Sequence, residues 1–256
     1  MLRTALSIAG SDPSGGAGIQ ADLKTFLDRG VYGMSVITAL TAQSTTTVSG
    51  IFSVSPAFIQ EQLSTLRDDM PVHAVKIGML GDTATISAVA TGLADYTGPI
   101  VLDPVMVSTS GHRLLQPDAI DALRTQLVPR ATVVTPNLPE AELLFDGAEP
   151  QAWADQIGVA VLLKDGHNTE AIVRDVLYRP GHAPAVVTHP RRETRNTHGT
   201  GCTLSSAIAA GLATGQDLNA AVEGALVYVA QLIAGSTEHP LGSGKGPLLH
   251  GLVSRS

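Results

Sequence analysis

Six short apolar runs, several of them ended at once by a glycine or a polar residue, leave few folds open to this chain. They are Leu6–Ala9, Ser35–Leu40, Ala74–Ile77, Ile100–Leu102, Thr132–Val134 and Val159–Leu163. Runs of this length bounded by turn formers read as buried strands. Gly10, Gly78, Asp103-Pro104 and Pro136-Asn137 supply the stops. Between the runs, helical patterns cover roughly 17–29, 56–68, 83–95, 117–127 and 139–145. A βαβα order of this kind predicts a mostly parallel sheet with helices on both faces.

Two segments break the alternation. Glu170–Leu177 and Ala185–Thr188 read as a β-meander at an antiparallel sheet edge. The chain then ends in two helical stripes, Leu204, Ala207, Ile208, Gly211, Leu212 and Leu218, Ala221, Val222, Ala225, Leu226, Val229, Leu232, Ile233. A closed eight-fold barrel competes, but the hairpin and the paired terminal helices argue against it. With 256 residues, 44% of them hydrophobic, residues 1–256 are expected to form one domain. In open parallel sheets ligands sit outside the carboxyl ends of the strands, where the punctuating Gly, Asp and Asn residues collect.

A net charge of −7 without a block of like charges speaks against a nucleic-acid partner. The one basic cluster, Arg191, Arg192 and Arg195, reads as a solvated loop. Cys202 is the sole cysteine, so an intrachain disulfide is impossible and a reducing compartment fits. The first nine residues are too short and too soon broken by glycine for a signal peptide. No apolar run reaches the roughly 18 residues of a membrane span. A cytoplasmic protein without a membrane partner is expected.

The strongest chemical signal is Asn196-Thr197-His198-Gly199-Thr200-Gly201-Cys202-Thr203, which opens a small-residue helix predicted over 202–214. Its glycines let backbone N–H groups converge, and the helix dipole adds positive potential, which suits phosphoryl oxygens. Cys202 is placed in the first turn, where a thiol pKa is commonly depressed. The segment is not a Walker loop, and Gly242-Ser243-Gly244-Lys245 continues to Gly246 rather than to Ser or Thr.

Gly16-Ala17-Gly18-Ile19-Gln20-Ala21 formally fits a dinucleotide fingerprint. Its turn is about five residues too long, and the next strand runs to Gln43 without a carboxylate for a ribose. Asp22 shares the buried stripe of its helix with Ile19 and Phe26, so it needs a partner, either local backbone or a polar ligand. Gln43, at a strand end, is able to donate and accept along the edge of a heteroaromatic ring. Asp103 and Glu140 are carboxylates placed to hold hydrated magnesium, although Glu140 taken alone reads first as a helix first-turn acid after Asn137 as N-cap. Lys164 is placed to neutralise phosphate. The eight histidines show no zinc-ligand spacing.

Together these segments resemble the hydroxymethylpyrimidine/phosphomethylpyrimidine kinases of thiamine biosynthesis, within the ribokinase-like superfamily. The resemblance spans essentially the whole chain. It is carried by Ala9–Thr25, Ser35–Gln43, Lys76-Ile77-Gly78-Met79-Leu80, Leu102–Met106, Thr135–Ala141, Asn196–Leu204 and the late Gly242-x-Gly244-x-Gly246-Pro247. It implies a three-layer α/β/α sandwich and two successive ATP-dependent phosphorylations, of a pyrimidine alcohol and then of its monophosphate. By motif, Gln43 reads the pyrimidine with Asp22, Gly10, Met79 and Val105 around it. Gly199, Thr200 and Gly201 form the anion hole. Cys202 stands where the wider superfamily carries an aspartate base. Asp103, Asn137, Glu140 and Lys164 organise ATP and Mg2+, with Asp103 and Glu140 nearest the metal. A homodimer is common in the resembling family.

The chain departs from the pattern in two places. Val107–His112 lacks the lysine frequent there, and Lys164-Asp165-Gly166-His167 replaces the usual Lys-Gly-Gly-His. A pyridoxal/pyridoxine kinase on the same architecture is the nearest rival reading, and a non-catalytic pyrimidine sensor the remote one.

Overall fold

The computed structural model describes residues 2–108, 111–165 and 170–252. Within them runs a nine-stranded sheet of order β3-β2-β1-β4-β5-β6-β7-β8-β9. Its strands are β1 (Thr4–Ser11), β2 (Tyr32–Gln43), β3 (Val48–Ser53), β4 (Ala74–Ile77), β5 (Ile100–Leu102), β6 (Val133–Val134), β7 (Ala160–Leu163), β8 (Ile172–Tyr178) and β9 (Ala185–Pro190). From β2 through β1 and β4 to β7 every pairing is parallel. The pairs β2–β3, β7–β8 and β8–β9 are antiparallel. The sheet is open, which removes the barrel alternative.

Helices cover both faces. On one side lie α2 (Pro56–Asp69), α3 (Thr83–Gly92), α4 (Ala119–Ala122), α5 (Leu138–Phe145) and α6 (Pro150–Ile157). After α4 the chain continues through a π turn over Leu123–Leu127 and a 3-10 turn over Val128–Arg130. Leu6, Val75, Ile100 and Val134 point into that layer and meet Ile59, Ile86, Leu144 and Trp153. On the other side lie α1 (Gly18–Asp28), α7 (Thr200–Ala213) and α8 (Leu218–Ser236). Ala5, Ala74, Val101 and Val133 face Phe26, Ile208 and Leu226 there. Adjacent residues thus serve opposite layers, as strand geometry requires. The three-layer α/β/α architecture expected from the sequence is the one observed.

Two elements were not anticipated, and each hides for a physical reason. In β3 only Val48 is buried, so no apolar face marks this edge strand. Helix α6 has two turns and buries only Trp153 and Ala154, too little for a periodic stripe. Its bounds were nonetheless written in Pro150 at the first position and Gly158, at φ +75°, just past the last. Helix α7 also starts at Thr200, two residues earlier than predicted.

Helix α8 corrects the membrane reading. At 19 residues, with a mean hydropathy of 1.4, it is long and apolar enough to cross a bilayer. In this structure 33% of that stretch is buried, through residues such as Ala221, Val222, Ala225, Leu226, Val229 and Leu232 in the layer shared with α7, while Val227 is exposed. Both core helices and spanning helices meet the length criterion.

Candidate active site

The sheet changes direction at β1, which lies between β2 and β4, and a cavity of about 530 Å³ opens at the carboxyl ends of the strands beside it. Such a switch point is where open α/β sheets take their ligands. Gly10 near the end of β1, Gln43 at the end of β2, Met79 after β4, Asp103 and Val105 after β5, Asn137 after β6, Glu140 in the first turn of α5 and Lys164 after β7 all line the cavity. Gly199, Thr200, Gly201 and Cys202 line it from the start of α7.

That helix start is built by backbone constraint. Gly199 caps α7 at φ +81°, and a Cβ there would overlap the carbonyl oxygen of Gly16. Only glycine meets both demands. The N–H groups of Gly201 and Cys202 have no backbone acceptor among the described residues. Unpaired N–H groups with the helix dipole behind them are an anion-binding geometry.

Opposite the helix start, Asp103 accepts from Lys164 Nζ at 3.1 Å, from Thr135 Oγ1 at 3.2 Å and from Ser205 Oγ at 3.3 Å. Burial lowers the Lys164 pKa, but the charges of Asp103 and Glu140 carry it above the ordinary lysine value, so it is a firm cation. Asn137 and Glu140 form a reciprocal capping box on α5. Glu140 Oε2 accepts from the Asn137 N–H at 2.9 Å, while Oε1 has only a 3.5 Å contact from the Met106 N–H. The capping reading is thus observed on Oε2, and Oε1, with its long Met106 contact, is the oxygen left to face a ligand.

Burial raises the Glu140 pKa; Lys164 opposes this and Asp103 adds to it. A carboxylate strained in this way is compensated by a cation, and the donor set fits a magnesium ion. Among the described residues no three His, Cys, Asp or Glu side chains cluster as a ligand cage. Magnesium commonly takes one or two carboxylates with water and phosphate oxygens, which is what Glu140 and Asp103 offer.

Because its pKa is raised, ionised Glu140 costs stability above that pKa, and the cost fades as pH falls through it. Glu140→Gln keeps a capping acceptor, so at neutral pH it is expected to unfold at the same or a higher temperature than the wild type. Turnover should drop about 10- to 100-fold. Thermal scans from neutral to acidic pH, paired with rate assays, check this; the stability difference should vanish in acid.

The chain matches the family described as phosphomethylpyrimidine kinase over residues 12–249. This chain belongs to that family. The hydroxymethylpyrimidine/phosphomethylpyrimidine kinase of Rhizobium meliloti (strain 1021) is 48% identical, over 98% of this chain and 97% of its own. Phosphomethylpyrimidine kinase from Clostridium difficile 630 superposes with a TM-score of 0.78 at 39% identity, covering 90% of this chain and 99% of that one. Bacillus subtilis pyridoxal kinase, solved as an ADP complex, superposes with a TM-score of 0.84 at 36% identity and 98% coverage of both chains.

Several expectations change in this phosphomethylpyrimidine kinase fold. Asp22 does not line the cavity; it is fully buried, with Lys76, Ser7 and Ser206 as partners. The Cys202 thiol is not depressed: burial pushes it up to about 11, with Lys76 the main opposing influence. Arg191 and Arg192 line the cavity, as do Val173, Asp175, His189 and Ile233, while Arg192 and Arg195 are exposed, as a solvated loop requires. Asp165 does not line it and instead donates its N–H to Asp175. Of the Val107–His112 segment, Val107 and Ser108 reach the cavity. Thr109, Ser110, Gly166 and His167 lie outside the described residues.

Sequence reasoning missed one pair altogether. Asp12 and His198 are both buried and joined at 2.7 Å, tying the β1–α1 loop to the loop before α7. Asp12 also accepts from the Ser14 and Ala17 N–H groups. His198 Nε2 approaches the Gln43 amide at 3.4 Å. The signal was present, because both residues sit inside the two motifs that carried the resemblance.

Proposed function

We infer that this chain transfers the γ-phosphoryl group of ATP to the hydroxymethyl group of 4-amino-5-hydroxymethyl-2-methylpyrimidine, and then phosphorylates the monophosphate to the diphosphate, in thiamine biosynthesis. The observation that carries this reading is the family match along nearly the whole chain, joined to one cavity that holds Gln43 and the α7 start. Residues 1–256 act as one kinase domain. A cytoplasmic setting, a homodimer, and the absence of nucleic-acid and membrane partners belong to the same proposal.

The substrate ring lies against Gly10, Met79 and Val105, with Gln43 hydrogen bonding along its edge. Transfer is in line. The phosphoryl group passes through a loose transition state, so positioning and charge neutralisation supply most of the acceleration. The N–H groups of Gly201 and Cys202, free among the described residues and in the turn opened by Gly199 and Thr200, receive the transferring oxygens, and Lys164 faces the charge that builds on them. Glu140 and Asp103 would hold magnesium through water or phosphate, and the ion when bound would supply further neutralisation of phosphate charge. Asn137 fixes Glu140 through the capping box.

Cys202 takes the alcohol proton late, as the oxygen–phosphorus bond forms. With its thiol held up to about 11, little thiolate exists at neutral pH, so its contribution is modest. Cys202→Ala is expected to lower kcat about 10-fold or less, well below the loss from blocking the anion hole.

Product analysis tests the two-step reading. Magnesium-ATP and the pyrimidine alcohol should yield first the monophosphate and then the diphosphate by mass spectrometry. Accumulation of monophosphate alone would remove the second step from this enzyme.

A further inference from the structure

The most deeply buried charges in the site region are Lys76 on β4 and Asp22 on α1, both without measurable exposure. Lys76 Nζ donates to the two Asp22 oxygens at 2.9 and 2.8 Å. Ser206 Oγ and Ser7 Oγ donate to the same oxygens at 2.7 and 2.6 Å. Asp22 is thereby saturated and held from three elements. Lys76, for its part, has no acceptor other than Asp22 among the described residues, and it lines the floor of the cavity. A Cβ at Gly78 would stand 2.8 Å from its ammonium, so that glycine leaves the space the charge occupies.

The register shows which way this charge faces. Ser7 and Lys76 pair across β1 and β4, and Lys76 pairs with Val101, whose side chain packs in the α7 layer. Ser206 follows Cys202 by four residues, one helical turn along the same side of α7. The ion pair therefore sits one turn from the thiol, beneath the start of the helix. A buried ion pair is seldom retained for stability, because a well-packed apolar pair does as well or better.

We propose that Lys76, clamped by Asp22, Ser7 and Ser206, is the fixed positive charge that makes the Cys202 proton available to leave. It is a positioning residue, acting on the thiol and not on the substrate. The inference rests on the reading of Cys202 as proton acceptor. The charged groups around the thiol are Lys76 from β4, Asp22 from α1, Asp103 behind β5 and Lys164 behind β7. Glu140 on α5, and Asp12 and His198 on their loops, line the same cavity. Asp103 is paired with Lys164, and Asp12 with His198. Burial drives the thiol upward, and Lys76 is the strongest influence in the opposite direction.

Cys202 is the chain's only cysteine, so its alkylation reports this thiol alone. Iodoacetamide alkylation at about pH 8 is to be timed on the full-length wild type, Lys76→Met, Lys76→Arg and the double variant Asp22→Asn/Lys76→Met. The double variant leaves no unpaired buried charge and keeps the test open if Lys76→Met does not fold. Removal of the ammonium should slow alkylation about 10-fold, the equivalent of one unit in the thiol pKa, with the double variant slowed less and Lys76→Arg near the wild type. A purely structural strut predicts the opposite sign, because loosening the floor exposes a buried thiol and speeds its reaction. An unchanged or faster rate in the folded variants would overturn the proposal. Turnover of Cys202→Ala separates the two layers: no loss there would remove the thiol from the chemistry, while the alkylation rates would still report the Lys76 charge.

Discussion

Gly201→Ala should fold at least as stably as the wild type and lose about 10²- to 10³-fold in kcat. The new methyl group would stand 3.4 Å from Lys164 Nζ and 3.6 Å from an Asp103 oxygen, ordinary contact distances that require no backbone shift. Within a helix, alanine is favoured over glycine by about 1 kcal/mol, so stability is preserved or gained. The methyl group nevertheless occupies the space between the helix start and the Lys164–Asp103 pair, where transferring oxygens are to be received. Gly199→Ala provides the contrast. At φ +81°, and against the Gly16 carbonyl, it strains the α7 cap and displaces the β1–α1 loop, so both stability and activity should fall. Thermal unfolding and single-turnover rates on the two variants test this directly. If Gly201→Ala retained full turnover, the first turn of α7 would not be where the phosphoryl group is held.

The second large effect lies under the same helix. Lys76→Met leaves the Asp22 carboxylate buried with two serine hydroxyls and no counter-charge, and should cost about 3–5 kcal/mol in urea denaturation. The double variant Asp22→Asn/Lys76→Met removes both charges, lets the neutral amide keep the serine contacts, and should recover most of that loss. Equal losses in the single and double variants would mean that packing around Lys76, not its charge balance, supports the floor.

Much of this was legible in the sequence where local chemistry and global fold agree. The runs at Ala74–Ile77 and Ile100–Leu102 coincide with β4 and β5 because both strands are buried on every side and bounded by turn residues. Gln43, Asp103, Glu140, Lys164 and the Gly199–Cys202 segment reach one cavity because each ends a parallel strand or begins the helix facing those ends. What stayed hidden was set by neighbours far away in sequence. The partner of Asp22 is 54 residues distant, and that of Asp12 is 186. The direction of the Cys202 shift illustrates the same limit. The helix-start rule predicts a depressed thiol, yet burial among β4, α1 and β5 outweighs the dipole, and no local pattern records that burial.

The central claim is tested most directly by competition between two acceptors. With magnesium-ATP and limiting enzyme, the hydroxymethylpyrimidine and pyridoxine are offered together, and ADP release and both phosphorylated products are followed. The account predicts phosphorylation of the pyrimidine alcohol in clear preference, by about 10-fold or more in kcat/KM, as the role proposed for Gln43 at the ring edge requires. Preference for pyridoxine would contradict it and move this chain to the activity of its pyridoxal kinase neighbours, and ADP release with neither acceptor would contradict catalysis itself.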